Sequence, residues 1–234
     1  MSFEKLIKGK NVVVVGSASY MKDEKYGSSI DSHDIVVRIN RGCEVILGNE
    51  KSIGNRTDVL YSCLIEQKEN AGSWNASMLI DDYKVKYLCT TPASSVAGIS
   101  HVSSLHKMVN KEKYLDLANR LPCRIIDSQF FTRIAREINC RPTTGYIAIY
   151  DILNYQPATL TVHGFDFFYS GWFPEYKKGT MLSMESLWTN TLKSKRHKHK
   201  NMWEHAKKNL LNNKKVIIDD HLKKVLSINS WWAN

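Results

Sequence analysis

The segment Asn11-Val12-Val13-Val14-Val15-Gly16 is an unbroken β-branched run closed by a glycine. A strand with one wet face alternates apolar and polar residues, whereas one covered by helices on both faces has no polar positions. The segment therefore reads as a central strand of a parallel sheet, and Ser17-Ala18-Ser19 as the small-residue turn at its end. Working outward, further strands are expected at Ile35 to Ile39, Thr57 to Tyr61, Lys84 to Thr90, Arg124 to Ile126, Thr159 to Gly164 and Lys215 to Ile218. Apolar residues at helical spacing predict a helix or helix pair over 103–121, an amphipathic helix over Phe130 to Ile138 and an apolar helix over Tyr146 to Leu153, with Thr144 as its cap. Two more are expected over 200–211 and His221 to Leu226, while 166–190 is aromatic-rich and reads as irregular. Alternating strands and helices make the fold class α/β: a single Rossmann-like domain over residues 1–234, a mostly parallel sheet sandwiched by helices.

Composition narrows the class. A chain of 234 residues that is 43% hydrophobic and 24% charged folds as a globule, which excludes a disordered tail or a fibrous repeat. No apolar stretch approaches the ~18 residues of a membrane span, and the first ten residues lack the apolar core of a secretory signal. The five cysteines are odd in number, scattered, and never spaced Cys-x-x-Cys, which argues for reduced thiols in a cytoplasmic setting and against a zinc site. The formal charge is 33 − 23 = +10. Residues 191–224 hold eleven Lys/Arg against three Asp/Glu, so +8 of it is local to that block. The surplus predicts an anionic partner or a solvated basic face.

A buried strand ending in Gly-Ser-Ala-Ser suits a nucleotide phosphate, because small residues let backbone N–H groups approach its oxygens. Gly16 stands without the further glycines of a dinucleotide fingerprint, and no Lys-Ser/Thr follows as in a P-loop. The second strand ends Arg38-Ile39-Asn40, without the acidic residue that grips a ribose in NAD enzymes. Dehydrogenase and P-loop ATPase readings are thereby set aside.

Three ordered segments carry a more specific signal. The first runs through Val14-Val15-Gly16-Ser17-Ala18-Ser19, Tyr26-Gly27-Ser28-Ser29-Ile30-Asp31-Ser32-His33-Asp34, Val37-Arg38-Ile39-Asn40 and Gly54-Asn55-Arg56-Thr57. It resembles the large sialylmotif of glycosyltransferase family 29, the sialyltransferases. Pro142-Thr143-Thr144-Gly145, its apolar helix and Val162-His163-Gly164-Phe165-Asp166 resemble the small sialylmotif. His199-Lys200-Asn201-Met202-Trp203-Glu204 resembles the late His-x4-Glu motif. The family's disulfide positions fall at Asn11 and near Tyr155 or Gln156, so that bond is absent. The family's third motif is not found, and His197 is a possible substitute for its phosphate-binding histidine.

The resemblance implies a variant GT-A type fold and an inverting, metal-independent transfer of a sugar from a CMP-activated donor, with no other cofactor. The missing Asp-x-Asp is consistent with a leaving group that carries one phosphate. It implies His199 as general base and Glu204 as the residue that orients its segment through hydrogen bonds. Gly16, Ser17 and Asn40 would line the donor's phosphate and ribose, Thr143, Thr144 and Gly145 would present donors at a helix N-terminus, and Gly164 would let backbone approach cytosine. Arg38 has two readings, a phosphate partner or the partner of a buried carboxylate. Donor binding is thus placed mainly in 11–165, and acceptor and base in 166–224. Tyr169, Trp172 and Trp188 stack on a sugar or base, or pack in the core. Lys195, Arg196 and Lys198 would draw in a polyanionic acceptor, either an acidic glycan or DNA bearing a hydroxylated base. A non-catalytic basic nucleic-acid-binding protein is the reading from a different class.

Overall fold

The structure is a computed structural model describing residues 2–64, 75–92, 111–176, 184–194 and 196–231. Along these the elements run α1 (Phe3–Ile7), β1 (Asn11–Val15), α2 (Gly27–Asp31), β2 (Ile35–Ile39), α3 (Glu50–Ile53), β3 (Val59–Ser62), β4 (Tyr87–Thr90), α4 (Lys111–Ala118), β5 (Cys123–Ile125), α5 (Ser128–Glu137), α6 (Thr144–Asn154), β6 (Thr159–His163), α7 (Met184–Lys193), α8 (His199–Leu210), β7 (Val216–Ile218) and α9 (Asp220–Ser227).

Among the described residues the seven strands form one sheet in the order β5-β4-β3-β2-β1-β6-β7. Every pairing is parallel, beyond the mostly parallel sheet expected. β1 lies fifth of seven, an interior strand flanked by β2 and β6, as its continuous valines require. Val12 and Val14 point into a core shared with α1, α5, α6, α8 and α9, and Val13 and Val15 into a second core shared with α2 and α3. Each face is thus a separate apolar layer, and the period-two alternation of a strand assigns successive valines to opposite layers.

Several boundaries shift for physical reasons. β3 starts at Val59 rather than Thr57, because Asp58 is spent on the β2 edge, accepting from the Val36 N–H (2.9 Å), Arg56 and Lys86. β4 starts at Tyr87, since Lys84 is left-handed (φ 55°) and cannot extend a strand. Thr143, not Thr144, caps α6: its backbone is extended and its hydroxyl accepts from the Tyr146 N–H at 3.3 Å. The stretch read as irregular contains most of α7, which runs on to Lys193. Residues 103–110 of the expected helix lie outside the described residues, and 111–118 are helical. In place of the family's disulfide, the Thr159 hydroxyl donates to Asn11 Oδ1 (2.8 Å) across β1 and β6. None of the five cysteines forms a disulfide.

From β1 the chain moves strand by strand toward β5, then crosses back to lay β6 on the other side of β1. The carboxyl ends of β1 and β6 therefore diverge at a topological switch point, where open parallel sheets form their cleft. Two glycines sit there. The Gly16 N–H donates to the His163 carbonyl (2.7 Å) and the Ala18 N–H to the Gly164 carbonyl (3.0 Å), bringing the two backbones into contact. A Cβ on Gly16 would lie 2.2 Å from the Gly164 oxygen, and Gly164 is itself left-handed (φ 74°). Gly16→Ala is expected to cost more than about 2 kcal/mol, read as a lowered urea midpoint; a midpoint within error of the parent would contradict this contact.

Candidate active site

A cavity of about 350 Å³ opens at this switch point, within the size range of small-ligand sites. One wall is Gly16, Ser17 and Ala18 after β1, facing Gly164 and Phe165 after β6. That wall is braced from behind. The Tyr20 hydroxyl accepts from the Gly164 N–H (2.8 Å) and donates to Asp219 (2.5 Å), which also pairs with His163 Nδ1 (3.2 Å). Although buried, the Asp219 carboxyl is held below its ordinary range by hydrogen bonds from His163, the Leu222 N–H and Tyr20.

Asn40 forms the neighbouring wall at the end of β2. It is left-handed (φ 47°), a conformation asparagine tolerates, and its Oδ1 accepts from the Cys63 N–H (3.1 Å). Beside it stand Thr143, Thr144 and Gly145 at the positive end of α6. A Cβ on Gly145 would meet the Phe165 ring at 2.7 Å, so this glycine lets the helix N-terminus seat on the β6 loop. α6 is anchored on the sheet by Asp151, which pairs with Arg124 of β5 and accepts from the Tyr61 hydroxyl (2.5 Å).

The fourth wall carries the titratable groups. His199 is the first residue of α8, 8% exposed, and neither ring nitrogen has a hydrogen-bond partner among the described residues. Its ring stands edge-on to Phe168, centroids 4.8 Å apart. Burial, reinforced by His197, holds its pKa down to about 3. His197, whose ring centroid is 6.3 Å from that of His199, is held down to about 4, again mainly by burial. Its Nδ1 donates to the Arg141 carbonyl (2.8 Å), which fixes the tautomer. Both rings are neutral at physiological pH. Over them lies the 164–171 loop, in which Gly164, Phe167, Phe168 and Gly171 all have positive φ. Two successive bulky residues in the left-handed region store backbone strain, a condition concentrated at functional sites. Asp166 secures the loop by accepting from the Ser170 N–H (2.8 Å) and pairing with His221 (3.3 Å).

The cavity thus gathers Gly16, Ser17, Asn40, Thr143, Thr144, Gly145, Gly164, Trp172, Arg196 and His199 from the sequence-derived set. The others stand elsewhere. Arg38, 1% exposed, donates to the carbonyls of Ile53, Gly54 and Arg56 and to the Thr57 hydroxyl, so it meets neither a phosphate nor a carboxylate and instead folds the large-motif loop. Glu204 is exposed and makes no hydrogen bond among the described residues, correcting its orienting role. Five residues on, it lies about 140° around α8 from His199. Lys198 is exposed and lies outside the cavity lining, as does Tyr169, at 41% exposure. Lys195 lies outside the described residues, as does the Trp188 side chain. Sequence reasoning missed Arg141 and Cys63, and held Phe168 only as one member of the aromatic-rich acceptor stretch. Arg141 was signalled only by its adjacency to Pro142, and Cys63 by nothing local.

Fold and site together define a doubly wound parallel α/β protein with a nucleotide-type cleft at its switch point. The model of glycosyltransferase family 29 (sialyltransferase) matches residues 8–165, more than half of the chain, and the chain belongs to that family. A CMP-N-acetylneuraminate-beta-galactosamide-alpha-2,3-sialyltransferase 1 from Gallus gallus is 30% identical over 110 residues, which are 45% of this chain and 31% of that protein. The Type 2 lactosamine alpha-2,3-sialyltransferase of Mus musculus is 42% identical over 48 residues, 20% of this chain and 14% of that one. The match therefore spans less than a third of either relative. Among solved structures, a mammalian sialyltransferase superposes with a TM-score of 0.53 at 18% identity, covering 93% of this chain and 71% of that one. The sialyltransferase CstII from Campylobacter jejuni, in complex with the substrate analogue CMP-3FNeuAc, gives 0.50 at 15% identity over 91% and 88%. These likenesses establish a GT-A-like fold. No helix among the described residues is long and apolar enough to cross a membrane.

The two depressed imidazoles make stability depend on pH. Unfolded, each takes up a proton below about 6.5; native, they refuse it until about 4 and about 3. Their contribution is complete above pH 6.5 and is lost as pH falls through that window, at up to about 1.4 kcal/mol per unit for each ring. A variant carrying His197→Asn and His199→Asn is expected to show a flatter decline of unfolding free energy between pH 6.5 and 4; parallel curves would contradict neutral burial.

Proposed function

We propose that this chain is an inverting glycosyltransferase that moves a sialic-acid-like sugar from a CMP-activated donor to a hydroxyl of a glycan. The observation that carries this reading is His199: a neutral imidazole with no competing hydrogen bond, lining a cleft with the switch-point glycines and the α6 N-terminus. In the reaction, a His199 nitrogen accepts the proton of the acceptor hydroxyl as its oxygen attacks the anomeric carbon from the face opposite the phosphate. The anomeric carbon–oxygen bond to phosphate breaks, and CMP leaves with the electron pair. The N–H groups at the start of α6, with the hydroxyls of Ser17, Thr143 and Thr144, are suited to receive that developing charge. The glycine contact leaves backbone exposed to the nucleotide.

His197 would act as a second phosphate partner. Its Nδ1 proton is committed to Arg141, so Nε2 donates only after taking up a proton, which a phosphate beside it would favour. The transfer needs no divalent cation on this reading, since one phosphate leaves and no Asp-x-Asp is present. A glycan acceptor is favoured over DNA because the matched relatives are named for galactosamide and lactosamine acceptors. Five cysteines outside any disulfide favour a reducing compartment.

His199→Ala is expected to lower the transfer rate by roughly 10²–10⁴-fold while CMP affinity, by calorimetry, stays within about threefold; full activity in the variant would remove the base assignment. Transfer is expected to survive excess EDTA, and CMP, unlike UDP or NAD, to raise the melting temperature. Inhibition by EDTA would contradict the metal-free step.

A further inference from the structure

Arg141 is 5% exposed, yet it has no acidic partner among the described residues. Nη2 donates weakly to the Thr91 hydroxyl (3.5 Å) and the Pro92 carbonyl (3.3 Å), and the guanidinium lies 4.9 Å from the centre of the Phe131 ring. Nη1 is buried with no hydrogen-bond acceptor among the described residues. A buried cationic donor without an acceptor is among the costlier arrangements a fold can hold, and it persists where a ligand supplies the missing partner.

Its surroundings add a second positive group. The Arg141 N–H donates to the Arg196 carbonyl (3.1 Å), and His197 donates to the Arg141 carbonyl, so the two backbones are zipped together. Both arginines line the cavity, and each is disfavoured as a cation, Arg141 down to about 10, by burial first and, for Arg141, by the other guanidinium. They stand beside Thr91 and Cys63, at the ends of β4 and β3, displaced along the sheet from the Gly16–Gly164 contact. The unmet Nη1 of Arg141 thus faces a part of the cavity displaced from that contact. A planar guanidinium edge matches a carboxylate.

We propose that Arg141, supported by Arg196, is the receptor for a sugar-acid carboxylate and sets the requirement for an acidic sugar in the transfer. The inference rests on the proposed CMP-sugar reading. The carboxylate belongs either to the donor sugar or to an acidic sugar at the acceptor end, and the two sources separate by experiment.

Calorimetry on the whole chain, parent and Arg141→Gln, would use CMP, a non-transferable 3-fluoro CMP-sialic acid, its carboxyl methyl ester, and glycans ending in a neutral or an acidic sugar. The parent is expected to prefer acid over ester by about 10–100-fold, and the variant to lose that preference while binding CMP within about threefold of the parent. Loss of the acidic-over-neutral glycan preference instead assigns the carboxylate to the acceptor. Both preferences surviving in the variant, or CMP weakening as much as the acid, overturns the proposal. If the variant fails to melt cooperatively, Arg141→Lys and the parent's own acid-to-ester and glycan ratios decide, and a parent indifferent to both carboxylates overturns it. A parent that binds no CMP refutes the donor reading instead, and the glycan arm then tests Arg141 alone.

Discussion

Two backbones meet without side chains where β1 and β6 leave the sheet, and this contact sets the geometry of everything around it. With the Gly16 and Gly164 chains in direct hydrogen-bonded contact, the turns that follow must diverge, and the cleft between them is a consequence of topology. Tyr20 and Asp219 hold the β6 turn from behind, and Asn40 and the α6 N-terminus close the sides. The strain in the Phe167–Phe168 backbone is sustained because Asp166 ties the loop on both sides. Rigid scaffold and strained loop thus occupy opposite sides of one cavity.

The electrostatic character of that cavity differs from what total charge suggests. Its facing groups are two neutral histidines, a buried Arg141 and a half-buried Arg196, while the α8 lysines at 200 and 208 spend their charge in solvent. Desolvation is what joins these facts: it strips protons from imidazoles and penalises guanidiniums without removing their charge. A cleft built this way holds unprotonated ring nitrogens at one point and poorly solvated positive charge at another.

Much of this was legible in the sequence wherever the determinant was local. A valine run with no polar position can only be a two-faced strand, and all seven expected strands appear with modest shifts. The ordered motifs led to Gly16, Ser17, Asn40, Thr143, Gly145, Gly164 and His199, which share the cavity. What could not be read depends on distant partners. Arg38 read as the partner of a phosphate or of a buried carboxylate, whereas the Ile53, Gly54 and Arg56 carbonyls surround it. Glu204 sits in a motif by spacing, but helix geometry turns it away. Thr143 and Thr144 are chemically alike, and only backbone conformation decides which one caps. Arg141 needed β4, 50 residues earlier, and the 196–197 segment to become a lone buried cation.

The register of β1 against β6 has a kinetic side. Asn11 pairs with Thr159, 148 residues later, so the central seam of the sheet forms only after most of the chain is available. Loop closure over that span opposes the pairing until the intervening strands have collected on the other edge of β1. During synthesis the β1 edge that β6 later covers would stay open, four valines long, for the time needed to make roughly 150 further residues, a matter of about 10–30 s at ordinary elongation rates. The nascent chain is then most vulnerable to mispairing at the same edge that afterwards anchors the cleft.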